Sequence, residues 1–174
     1  GYGKILPHSL LSRSRHGVLN VHPSLLPKYR GPSPIETQIL HNDQHPGVSI
    51  ILLDEETDHG PVLAQETPPL PRWPLSRSEL EDLLWKRGGE LIAECIPKYI
   101  AGELTPREQN HELATFTKKL EKEDGLLDLS GDAYANYLKF LAYERWPGTF
   151  FFIEKNNKKM RVKVTGAKFE NDAF

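Results

Sequence analysis

The sequence predicts an α/β fold, on three observations. Short apolar runs at residues 17–21 and 48–53 have the length of strands and end in polar turns rich in proline or glycine. Segments with helical spacing of apolar residues alternate with them, the longest opening at a Ser76-Arg77-Ser78-Glu79 capping box. The residues able to do chemistry cluster at the ends of the two runs, and in an open parallel sheet carboxyl-end turns are where ligands bind.

Taken in order, residues 8–16 (HSLLSRSRH) read as a short helix with a polar face, turning Leu10 and Leu11 toward the sheet. The first strand follows at 17–21. Pro23, Pro27, Pro32 and Pro34 restrict the backbone to extended and turn conformations, so residues 24–33 form a stiff loop. A helix resumes at Pro34, a residue tolerated in the first turn, with Ile35, Ile39 and Leu40 as its apolar stripe. His45-Pro46-Gly47 turns the chain into the second strand, and a short strand at 61–66 leads to a proline-rich connection. The long helix carries Leu80, Leu83, Leu84, Leu91, Ile92, Cys95 and Ile96 on one side; Pro97 is expected to kink it and Gly102 to end it. Residues 104–117 are polar and read as a linker. Beyond it come a helix at 131–144, with Ser130 as its expected cap, and strands at 149–154 and 160–164 joined by an Asn156-Asn157 turn.

A chain of 174 residues can bury one core, or one core and part of another. Cys95 is the single cysteine, so no disulfide framework exists within the chain, as suits a cytoplasmic protein. No apolar run approaches the roughly 20 residues that span a bilayer. The formal net charge of −2 predicts no general attraction to nucleic acid. Positive charge is nonetheless concentrated late in the chain, at Lys118, Lys119, Lys122, Lys155, Lys158, Lys159, Arg161 and Lys163, a pattern that fits local contact with phosphates.

Asn20 and His22 stand two residues apart, a spacing that points both side chains to one face of a strand. Asp58 lies in the turn after the second strand, with Gly60 beside it to let the backbone approach a ligand. An amide, an imidazole and a carboxylate converging on one spot suit acyl transfer, in which a carbonyl oxygen becomes an oxyanion and the nucleophile loses a proton. Glu55 and Glu56 read as a solvated loop, His59 receives no role, and His41 and His45 flank a turn without the further ligands a zinc site needs.

At these residues the chain resembles the folate-dependent formyltransferases. The family shares Asn-x-His followed by Ser-Leu-Leu-Pro and then an Asp-x-Gly turn, here Asn20, His22, Ser24 to Pro27, and Asp58 with Gly60. KYRGPSPI, FTKKLEKEDGLLDL and RWPGTFF carry the resemblance on to the methionyl-tRNA formyltransferases. It implies part of a doubly wound, Rossmann-like sheet over residues 1–104, a linker at 105–128, and from 129 to 174 the start of a small OB-like barrel that touches tRNA. It also implies that the first half of the catalytic sheet lies outside this chain. Asn20 and His22 are expected to hydrogen-bond the formyl oxygen of 10-formyltetrahydrofolate, and Asp58 to relay the proton of the attacking amine. Tyr2, Lys4, Ile5 and Leu6, with Ser24, Leu25, Leu26 and Pro27, are expected to wall the folate site. The implied acceptor is initiator methionyl-tRNA, with no metal and no membrane, and a monomer when full length. A sugar-nucleotide N-formyltransferase and an inactive binding module are the alternatives.

Overall fold

The structure, a computed structural model, describes residues 8–11 and 13–170. Three strands, β1 (Leu19–His22), β2 (Val48–Leu52) and β3 (Val62–Glu66), form a sheet in that order. Both pairings are antiparallel, which corrects the parallel arrangement assumed from the sequence. The loop after β1 and helix α2 (Pro34–Leu40) double back, so that β2 enters beside the end of β1, with His22 opposite Ser49. The carboxyl end of β2 therefore lies beside the start of β1, at Leu19 and Leu52. To reach His22, Asp58 must cross three residues of strand, about 10 Å at ~3.4 Å per residue. The loop between β2 and β3 does this by folding back over the sheet.

The two faces of the sheet are covered differently. On one, Val48, Ile50 and Leu63 pack with Leu91 and Cys95 of helix α3 (Arg77–Ile100), and Val21 joins them. A Cβ added at Gly88 would lie 2.5 Å from Val21 and 3.0 Å from Val48, so the missing side chain sets how closely helix and sheet approach. A bulge in β3 between the partners of Ile50 and Ile51 turns both Leu63 and Ala64 to this side. On the other face Leu26, Ile51 and Val62 make a small apolar cluster beneath the loop that follows β1.

Helix α3 begins as its sequence predicts: Ser76 accepts from the Glu79 amide and the Glu79 carboxylate accepts from Ser76 N at 2.9 Å. It continues through Pro97 to Ile100. It ends in a Schellman arrangement, Gly102 N to Tyr99 O and Glu103 N to Lys98 O, with Gly102 at φ +75°. Helix α4 (Ala133–Ala142) is capped by Asp132 rather than Ser130, because the Asp132 carboxylate accepts from Ala135 N at 2.6 Å. Its Leu138, Leu141 and Ala142 share one core with Ile35 and Ile39 of α2 and Leu80 and Leu84 of α3. A hairpin of β4 (Thr149–Lys155) and β5 (Lys158–Val164) follows, closed by Asn156 and Asn157, both at positive φ as a two-residue turn requires. A four-residue helix, α1 (His8–Leu11), opens the described chain.

Candidate active site

Alternation along β1 sends Val21 toward α3 and leaves Asn20 and His22 on the loop-covered face. Asn20 is half-buried, and its carboxamide has no hydrogen-bond partner among the described residues. His22, only 4% exposed, is more enclosed than a strand-end position suggests. Its Nε2 hydrogen-bonds the Tyr29 carbonyl at 3.0 Å, and its Nδ1 lies 3.5 Å from Asp58 Oδ1. Burial, the largest influence, pushes the His22 pKa below the usual histidine value; the Asp58 carboxylate and the Tyr29 carbonyl oppose that, and Arg30 reinforces it. The ring is thus neutral near pH 7. It then carries one N–H between two acceptors and keeps one nitrogen able to receive a proton.

Asp58 is held in the left-handed region at φ +51°, sparsely populated for a residue with a side chain. Its carboxylate is divided between two neighbours: Oδ1 faces His22, and Oδ2 accepts from Gly31 N at 2.8 Å. The loop supplying these contacts is itself unusual, with Tyr29 at φ +61° and Gly31 at φ +107°. At Gly60 the structure adds a reason for glycine: an added Cβ would stand 1.9 Å from the Leu52 carbonyl, so the crossing of two backbone segments by itself requires it.

What the sequence reading missed is the role of the segment after α3. Residues 105–118, expected as a linker, run as a strap over the loop that follows β1 and the loop that carries Asp58. Arg107 exchanges both backbone hydrogen bonds with Val62 at 2.8 Å. Thr115 accepts from Tyr29 N through its hydroxyl at 2.8 Å and from Arg30 N through its carbonyl at 2.9 Å. Thr117 N donates to Arg30 O at 2.7 Å, and its hydroxyl accepts from Ser33 N at 3.1 Å. Between these, Gln109 donates to the carbonyls of Asp58 and Gly60, and the buried Arg30 guanidinium donates to Gln109 Oε1. His111 accepts from Arg30 through Nδ1 at 2.8 Å and stacks on His59, which pairs with Asp54 at 2.6 Å. The polar, non-periodic character of this segment carried no signal for these contacts.

The residues expected around folate divide into three groups. Tyr2, Lys4, Ile5 and Leu6 lie outside the described residues. Ser24 and Leu26 are buried, and their polar atoms are already bonded within the protein: Ser24 Oγ to Lys28 O, Ser49 Oγ to Ser24 O, Leu26 N to Ser49 Oγ, and Gln65 Nε2 to Leu26 O. Leu25 and Pro27 are half-buried. Ser49, fully buried in β2, is the residue that ties this loop to the sheet, and its isolated polarity within an apolar run was the available signal.

Comparison with known proteins bears on the family and the fold. The methionyl-tRNA formyltransferase of Chloroflexus aurantiacus is 45% identical over 152 residues, covering 87% of this chain. The chain spans 48% of that relative's length. Among solved structures, a 4-N formyltransferase from Francisella tularensis superposes with a TM-score of 0.72 at 23% identity, over 95% of this chain and 68% of that one. HypX from Aquifex aeolicus in complex with tetrahydrofolic acid gives 0.66 at 24% identity, over 81% of this chain and 24% of its own. These likenesses establish the fold. The family model described as formyl transferase matches residues 1–96, and the chain belongs to that family.

Proposed function

We propose that this chain forms part of an enzyme that transfers a formyl group from 10-formyltetrahydrofolate to the amino group of initiator methionyl-tRNA. The observation that carries this reading is the single Asp58 carboxylate shared between His22 Nδ1 and Gly31 N, with the Asn20 carboxamide, without a partner among the described residues, on the same strand face. The donor set fits a formyl group: Asn20 offers N–H donors, His22 offers one N–H and one basic nitrogen, and Asp58 is a proton acceptor next to it. When bound, the folate supplies an activated one-carbon carbonyl. Asn20 and His22 would hold its oxygen, His22 by sharing the Nε2–H between that oxygen and the Tyr29 carbonyl that now accepts it. Asp58 favours the charged imidazole and accepts the proton that the amine must lose. The half-buried Leu25 and Pro27, and the segment containing Tyr2, Lys4, Ile5 and Leu6, are proposed as walls for the folate.

The tRNA reading draws on the late part of the chain. A cavity of about 380 Å³ is lined by Lys122, Trp146, Pro147, Arg161 and Lys163, and Trp146 is 52% exposed. Cations around an exposed aromatic ring suit phosphate contact and base stacking. Lys118, by contrast, is paired with Asp124 at 2.5 Å and contributes little free charge. We take residues 1–104 as catalytic, 105–128 as connecting, and 129–174 as belonging to a tRNA-contacting barrel. No helix among the described residues is long and apolar enough to cross a membrane, and the proposed place of action is the cytoplasm.

The test is a chimera in which the remaining half of the Chloroflexus aurantiacus relative completes this chain. Supplied with 10-formyltetrahydrofolate, it is expected to formylate methionyl-tRNA and to leave an amino-sugar nucleotide unmodified. The reverse preference would assign the chain to sugar-nucleotide formylation, and transfer to neither would refute the reading.

A further inference from the structure

We infer that Gln109 is a positioning residue for the reaction, holding Asp58 at the distance from His22 that proton transfer requires; this rests on the formyl-transfer reading. Gln109 is 7% exposed, and its carboxamide has two opposed duties. Its Nε2 donates to the Asp58 carbonyl at 2.9 Å and to the Gly60 carbonyl at 2.7 Å, gripping both sides of the turn that presents the carboxylate. Its Oε1 accepts from Arg30 Nε at 3.2 Å and Nη2 at 2.6 Å.

The geometry explains why such a grip is needed. Asp58 sits at φ +51° on a loop that has left the sheet, and among the described residues no ladder hydrogen bond fixes its backbone. Its carboxylate is located by one amide, that of Gly31, in a loop equally far from regular structure. Arg30, adjacent to Gly31 and 3% exposed, points its guanidinium back to Gln109. The Asp58 turn and the Gly31 loop are therefore fastened to one side chain, which the strap brings from about 50 residues further along the chain. A catalytic group displaced by an ångström can lose on the order of 100-fold in rate.

A role in folding alone predicts different behaviour. In the completed chimera, Gln109→Met removes both grips and keeps the volume. It is expected to lower kcat about 10- to 100-fold, with KM for the formyl donor changed less than about twofold. Because Asp58 raises the pKa of His22, its displacement should also move the His22 midpoint downward, read from histidine ring NMR signals assigned with His22→Gln. The charged and titratable groups around this pair are Arg30 from the loop after β1, His111 from the strap, and Asp54, Glu56 and His59 from the Asp58 loop. Gln109→Glu guards against a variant that fails to fold: it keeps a partner for Arg30 but cannot donate to the two carbonyls, and should show the same loss of kcat. Full kcat in Gln109→Glu, or a lower melting temperature with unchanged kcat in Gln109→Met, would overturn the inference. If the wild-type chimera transfers no formyl group, the function is refuted. The His22 titration then decides the Gln109 claim alone, an unchanged midpoint in Gln109→Met counting against it.

Discussion

The two faces of the three-stranded sheet are held by different physics. On the α3 face, close packing of Val21, Val48, Ile50, Leu63, Leu91 and Cys95 makes a dry contact whose tightness depends on Gly88. On the other face the same strands are covered by irregular loops, at Tyr29 to Ser33 and around Asp58, joined to each other and to the strap by directional hydrogen bonds. Van der Waals packing has no directional requirement and is shared over many atom pairs, whereas a hydrogen bond depends on the alignment of one donor with one acceptor. The α3 face therefore supplies stability, and the loop face supplies exact placement of a few polar atoms at the cost of unusual backbone angles. Substitutions on the two faces should fail in different ways.

The largest effect is expected at His22. His22→Ala in the completed chimera should reduce formyl transfer by about 1,000-fold or more, measured in single turnover. It should also cost about 1–3 kcal/mol in a urea melt, since the Tyr29 carbonyl and the Asp58 carboxylate lose a buried partner. That second effect follows from the burial of His22, which a place at a strand end does not by itself imply. On the opposite face Gly88→Val should cost about 1–3 kcal/mol by overpacking against Val21 and Val48, while the protein that still folds keeps its kcat. A large loss of kcat at equal stability would erase the distinction between the faces.

Smaller effects sharpen the same contrast. The depressed pKa of His22 means that the folded protein resists a proton that the unfolded chain accepts. This contribution is fully present above the unfolded value of about 6.5 and is lost as pH falls below it, by at most about 1.4 kcal/mol per pH unit. Thermal melts between pH 7.5 and 5 should therefore flatten in His22→Gln; an identical pH slope in both proteins would show that burial does not depress this histidine. Ser76→Ala, at the start of α3 and away from the reacting groups, should cost about 1 kcal/mol and leave the rate unchanged.

Much of the α3 face was legible in the sequence. Its capping box, its apolar spacing and the apolar strand at β2 are local patterns with a fixed period, and the observed elements follow them. On the loop face Asn20, His22 and Asp58 stood out one by one as candidates, through the Asn-x-His spacing and the Asp-x-Gly turn. Their mutual placement was not legible. The antiparallel run of β2 leaves no mark on its own composition, and the positive φ of Tyr29 and Asp58 is carried by residues that do not announce it. Gln109 and Thr115 act through hydrogen bonds to segments 51 and 86 residues away, a range at which sequence spacing holds no geometric information.

The central claim is that Asp58 acts on His22, and replacing that carboxylate by its amide tests it most directly. Asp58→Asn keeps an oxygen for Gly31 N but turns an NH₂ group, or no charge, toward His22 Nδ1. Its single-turnover rate of formyl transfer in the completed chimera should be measured across pH 5 to 9 beside the wild type. The account predicts a fall of about 100-fold near neutral pH and a shift of the acid limb to lower pH, because the carboxylate that raises the His22 pKa is gone. A variant with the wild-type rate and the wild-type pH profile would contradict it.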